Sequence, residues 1–123
     1  MQNLAITQVQ SIRWQDDRLW LLDQRLLPVQ EIELEFNDAP AVAAAIRDMV
    51  VRGAPAIGIA AAYGVVLSVK KHAKVGTADW YSQVQRDMQT LRAARPTAIN
   101  LHWALDRMDR AIQSIGKQDP AAV

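Results

Sequence analysis

The spacing of apolar positions changes character near Asn37. Before it, Glu31-Ile32-Glu33-Leu34-Glu35-Phe36 alternates strictly, with Ile32, Leu34 and Phe36 on one face and three glutamates on the other. That period predicts a half-buried strand whose acidic side is simply solvated. Upstream, Gln8 to Trp14 carries Val9, Ile12 and Trp14, followed by the polar stretch Gln15-Asp16-Asp17 and the apolar segment Leu19 to Asp23. The spacing predicts a two-stranded hairpin, although the turn lacks the Asn-Gly pair that favours such loops most strongly.

After Asn37 the period is helical. Asn37 or Asp38 can cap a helix that enters through Pro40, with Val42, Ile46 and Met49 on its stripe and Gly53 at its stop. A second helix is predicted from Pro55 to about Lys74. It is apolar on nearly every side, so its place is the middle of the domain, with Lys70 and Lys71 near the end that favours cations. Gly58, Ala61, Ala62 and Gly64 would let neighbouring helices approach it closely. Thr77 or Asp79 is expected to cap a third helix with Trp80, Val84, Met88 and Leu91 as its stripe. A fourth follows Pro96, with Thr97 as its cap, Leu101, Leu105, Met108, Ile112 and Ile115 as its stripe, and Gly116 at its end. Asp119-Pro120 resembles the opening of a further helix. The fold class expected is α+β: a small antiparallel β-sheet over about residues 1–36, then a cluster of about four α-helices over 38–116.

Bulk properties narrow the function. With 123 residues there is room for one domain with a real core, and 50% hydrophobic against 22% charged residues is a globular balance. A formal charge of +1 offers no basic surplus for a nucleic-acid partner. The uncharged run Gly53 to Val69 falls short of the roughly 20 apolar residues a bilayer span needs, so no membrane partner is expected. The start MQNLAITQVQ shows no secretory signal, and the cytoplasm is the expected address. There is no cysteine, so thiol chemistry within this chain is excluded.

Two junctions carry candidate chemistry. In Val51-Arg52-Gly53-Ala54-Pro55, the glycine permits a sharp turn and close backbone approach to a ligand. The proline suits a first helical turn, and the free N–H groups of that turn favour an anion. Arg52 stands ready to add a bidentate charged clamp. Arg95-Pro96-Thr97 repeats the arrangement more weakly. An ordinary helix corner with a solvated arginine explains the same residues about as well. Were both helix openings to face one cleft, two guanidiniums would meet one dianion. His72 and His102 lack metal-spaced partners, and neither a nucleophile elbow nor a Walker-type loop is present. Trp14, Trp20, Trp80 and Trp103 fall on apolar stripes or strands and are expected in the core.

The string Met49-Val50-Val51-Arg52-Gly53-Ala54-Pro55-Ala56-Ile57-Gly58, with Ala60-Ala61-Ala62-Tyr63-Gly64, resembles the hallmark of methylthioribose-1-phosphate isomerases. Their superfamily includes the regulatory subunits of translation initiation factor 2B. Arg95-Pro96-Thr97-Ala98-Ile99-Asn100-Leu101 and Leu21-Leu22-Asp23-Gln24-Arg25-Leu26-Leu27-Pro28 are similar to its other amino-terminal signatures. The resemblance implies conversion of methylthioribose 1-phosphate to methylthioribulose 1-phosphate in methionine salvage, without a cofactor or metal. It places Arg52, Gly53, Ala54 and Arg95 at the substrate and no catalytic residue in this chain. It also implies a carboxy-terminal Rossmann-like domain, in the same or a second chain, that supplies a cysteine and an aspartate for proton transfer. The complete enzyme would be a homodimer, and this chain alone inactive. The alternatives are a non-catalytic assembly domain, as in the initiation-factor relatives, or an isomerase of another pentose phosphate.

Overall fold

In the computed structural model, residues 11–75 and 79–115 are described. The expected strand positions Gln8 to Gln10, the cap Thr77, the stop Gly116 and the Asp119-Pro120 turn lie outside them. Strands β1 (Ile12–Gln15), β2 (Arg18–Leu22) and β3 (Glu33–Phe36) precede helices α1 (Ala39–Arg47), α2 (Ala54–Val75), α3 (Trp80–Ala94) and α4 (Ile99–Ile115). The class is α+β, as the pattern predicts.

The sheet is antiparallel in the order β1-β2-β3. Gln15 pairs with Arg18, which leaves Asp16 and Asp17 as a two-residue loop with φ of 58° and 60°. Two consecutive left-handed residues are what the right-handed strand twist asks of a tight hairpin, and aspartate tolerates that region better than most side chains. Leu19 and Leu21 point into the core and are fully buried. On the other face, Arg13 pairs with Glu33 at 2.8 Å and Arg18 with Glu35, while the Arg13 guanidinium lies 5.0 Å from the Trp20 ring centroid. The glutamates of β3 are therefore cross-strand ion-pair partners as well as a polar face. Ile32 does not join the strand: it precedes β3 and is 40% exposed.

Among the helices the stripes fall largely as predicted. Asp38, not Asn37, caps α1 by accepting from the Ala41 N–H at 2.9 Å, and Val42 and Ile46 are buried. Trp80, Val84, Met88 and Leu91 of α3 are buried too, although Asp79 makes no side-chain cap bond. Helix α2 lies between α1, α3 and α4 and also touches β2. By length and composition it could cross a membrane, yet Ile57, Ala60, Ala61, Val65 and Leu67 are buried against its neighbours, which accounts for its apolarity. Where α1, α2 and α3 meet, a Cβ on Gly64 would lie 3.2 Å from a Leu91 methyl and 3.4 Å from a Val42 methyl, so the glycine sets the packing distance. The aromatics divide. Trp80 is buried and Trp14 stacks on Tyr63 at 5.2 Å, but Trp103 is 60% exposed and leaves the core expectation unmet. Its place follows from helix geometry: two residues from both Leu101 and Leu105, it points away from the stripe they form.

Candidate anion-binding site

The first junction begins where α1 stops at Arg47. The N–H of Asp48 donates to Ala44 O at 2.9 Å and that of Val50 to Ala45 O at 2.9 Å. Between them Met49 takes a left-handed φ of 67°, so it leaves the stripe predicted for it and is 43% exposed. Val50 and Val51 then turn inward and are buried, and Arg52 emerges exposed. Gly53, at φ 93°, occupies a region that a side chain would strain, and its carbonyl accepts the Ile57 N–H at 2.9 Å. Helix α2 thus starts at Ala54, one residue before Pro55. Pro55 offers no donor, so Ala54 and Ala56 carry the open amides of the first turn.

The second junction departs more from expectation. Helix α4 starts at Ile99, because Arg95 to Ala98 form a turn of their own, closed by the Ala98 N–H donating to Arg95 O at 3.0 Å. The Ala98 carbonyl then accepts from Leu101 and His102, so Ala98 and not Thr97 stands at the cap position. A His102 ring nitrogen donates to Pro96 O at 2.7 Å, and Arg92 pairs with Asp106 across the same corner. His102 had no role in the sequence reading. Its signal was only that it lies one turn beyond Ala98, within reach of the loop it braces.

The two openings lie side by side. A Cβ built on Gly58, in the second turn of α2, would sit 3.2 Å from the carbonyl oxygen of Asn100 in the first turn of α4. Backbone against backbone is the closest approach two helices can make, and it needs a glycine. Gly58→Val is therefore expected to push the first turn of α4 outward and destabilise the fold by about 1–3 kcal/mol, read from a denaturant melt. Among the described residues Arg13, Arg18, Arg25, Arg47 and Arg92 each pair with a carboxylate, whereas exposed Arg52 and half-buried Arg95 pair with none, as is also true of Arg86, Arg107 and Arg110 on α3 and α4. An arginine without a carboxylate partner precedes each of these two helix openings in the chain, a combination suited to an oxyanion.

Two further polar clusters lie outside these openings. Asp23 is 3% exposed; its carboxylate takes the Arg25 N–H at 3.0 Å and the Arg25 guanidinium at 2.9 and 2.8 Å. The guanidinium bond holds Asp23 below the usual aspartate range, against the opposing pull of burial. Between α2 and α3, Ser68 donates to Asp87 at 2.7 Å and a His72 nitrogen lies 3.2 Å from the same oxygen. Because the serine points to the carboxylate and not to the imidazole, this is an interhelical tie rather than a nucleophile with its base. No three His, Asp or Glu side chains gather as a metal site among the described residues.

Residues 50–121, more than half of the sequence, match the initiation factor 2 subunit family. The chain belongs to that family. Within it, methylthioribose-1-phosphate isomerase of Pseudomonas syringae pv. syringae is 53% identical over 120 residues, which cover 97% of this chain and 33% of the relative. The isomerase of Alkalilimnicola ehrlichii is 54% identical over 113 residues, 92% of this chain and 32% of its own. The chain thus spans about a third of the length of the curated relatives it matches. Among solved structures, 5-methylthioribose 1-phosphate isomerase from Pyrococcus horikoshii OT3 superposes with TM-score 0.81 at 34% identity, over 90% of this chain and 31% of that one. Translation initiation factor eIF-2B subunit delta from A. fulgidus superposes with TM-score 0.77 at 29% identity, over 91% and 33%. This member of the initiation factor 2 subunit family therefore shares its fold with both an enzyme and a translation factor.

Proposed function

We propose that this chain is the sugar-phosphate-binding part of an aldose–ketose isomerase of methionine salvage, acting on methylthioribose 1-phosphate. The observation that carries the reading is the close approach of α2 and α4 at Gly58 and Asn100, with Arg52 two residues before α2 and Arg95 in the turn before α4, neither paired with a carboxylate. Arg52 and Arg95 neutralise the phosphate, and the open amides around Gly53 and Ala54 hold further oxygens of the substrate. The names of relatives more than 50% identical support the substrate.

Isomerisation moves a proton between neighbouring sugar carbons and needs a positioned acid and base, which phosphate binding does not provide. In this reading they come from a carboxy-terminal Rossmann-like domain, and the complete enzyme is a cytoplasmic homodimer while this chain alone is inactive. Ile99 and Trp103, 80% and 60% exposed at the opening of α4, offer that domain an apolar surface beside the site.

Titrating the isotope-labelled chain with methylthioribose 1-phosphate tests the binding role by nuclear magnetic resonance. The largest shifts are expected at the amides of Gly53 and Ala54 and at the side chains of Arg52 and Arg95, with none from the unphosphorylated sugar. Shifts scattered elsewhere would remove the site. The likeness to the initiation factor subunit supports a second reading, a domain used only for assembly; its signature is an unchanged spectrum. Equal affinity for ribose 1-phosphate would assign the site to pentose phosphates at large.

A further inference from the structure

Met49, in the left-handed region three residues before Arg52, is a strained conformation for a side chain of its size and persists only where its surroundings over-determine it. Its own strand of chain supplies part of that constraint, through Met49 N–H to Ile46 O at 3.3 Å and Val50 N–H to Ala45 O at 2.9 Å. The rest comes from a distant segment. The Gln24 N–H donates to Val50 O at 2.9 Å, so the peptide two residues before Arg52 is held from both sides. Gln24 opens the 3₁₀ turn Gln24–Leu26, and the geometry of that turn is set by Asp23. Asp23 caps it through the Arg25 N–H, grips the Arg25 guanidinium with both oxygens, and is tied by its own N–H to Ile32 O at 2.8 Å. Apart from Ser68, Asp23 is the one polar side chain in the buried set among the described residues. A buried carboxylate with all its bonds made is expensive to place and fixes its surroundings firmly.

We infer that Asp23 is a positioning residue for the anion site: with Arg25 it forms a clasp that holds the Gln24 amide against Val50 and so presets where Arg52 leaves the backbone. This rests on the phosphate-binding reading of Arg52. Asp23 touches no substrate and moves no proton. Its action runs through one backbone hydrogen bond and the left-handed turn at Met49, so that Arg52 meets an oxyanion without first being ordered.

The test uses the full chain with inorganic phosphate and methylthioribose 1-phosphate as probes. In Asp23→Asn, which keeps a capping oxygen but loses the paired charge, Gln24 amide exchange is expected to accelerate at least about tenfold. The Arg52 and Gly53 amide resonances should move in the ligand-free protein, and affinity for both probes should fall at least about fivefold. Ile112→Val, at the far end of α4, serves as a stability control and should leave all three readouts unchanged. Should Asp23→Asn unfold, Arg25→Met carries the same expectation while leaving the Asp23 backbone bond in place. Faster Gln24 exchange without any movement at Arg52 and Gly53 would overturn the inference, as would unchanged or tighter phosphate binding. If the unsubstituted chain binds neither probe, the proposed function fails, and the exchange and resonance shifts still decide whether the clasp sets the junction.

Discussion

Replacing Arg52 by alanine should lower kcat/KM for methylthioribose 1-phosphate by about 10- to 100-fold, the scale of one charge-assisted hydrogen bond of about 1.5–3 kcal/mol. The measurement calls for a complete enzyme, and a chimera in which this chain replaces the matching third of the Pseudomonas syringae isomerase supplies one. The loss should appear chiefly as a higher KM, because a phosphate grip serves ground and transition states alike. Arg52→Lys should recover only part of the loss, since an ammonium lacks the planar fork that meets two phosphate oxygens at once. Arg95→Ala is expected to behave similarly. The informative quantity is the double variant. If both guanidiniums hold one dianion, removing the second after the first should differ from removing it alone by about 0.5–3 kcal/mol of coupling. Strict additivity would place the two arginines at separate sites and break the common pocket apart.

That cycle probes what the sequence leaves open. The first junction was legible by itself, because Gly53 and Pro55 have local consequences for backbone and donors that spacing alone reveals, whereas Pro96 marked a break but not the cap, which falls at Ala98. The adjacency of the two junctions was not legible, because it depends on Gly58 meeting Asn100 across 41 intervening residues. The same division runs through the fold. The stripe Trp80, Val84, Met88 and Leu91 was readable from its period, and the all-round apolarity of α2 announced a central helix. Met49 defeated the pattern because a left-handed residue ends the helix before its turn on the stripe arrives. The brace from His102 to Pro96 and the clasp from Gln24 to Val50 are bonds to backbone carbonyls, which every residue carries and no side-chain pattern marks.

Trp103 and Leu101 turn the remaining disagreement into a measurable contrast. Both are large apolar residues in the opening turns of α4, and hydrophobicity alone ranks the tryptophan as the greater contributor. In the structure Leu101 is fully buried against the core, whereas Trp103 is 60% exposed with the Arg107 guanidinium 5.4 Å from its ring. Leu101→Ala is therefore expected to cost about 2–5 kcal/mol, from lost burial plus the cavity left behind. Against a total stability of about 5–15 kcal/mol that is a large share. In a thermal melt it corresponds to a fall of at least about 8 °C. Trp103→Ala forfeits little burial and one exposed cation–π contact, worth about 0.5–1 kcal/mol. Because the buried Leu101 side chain anchors the first turn of α4 to the core, truncating it should loosen the Arg95 turn, and phosphate affinity should fall with stability. If instead the tryptophan proved the costlier deletion, α4 would have to be rotated about its axis, and Asn100 would no longer meet Gly58.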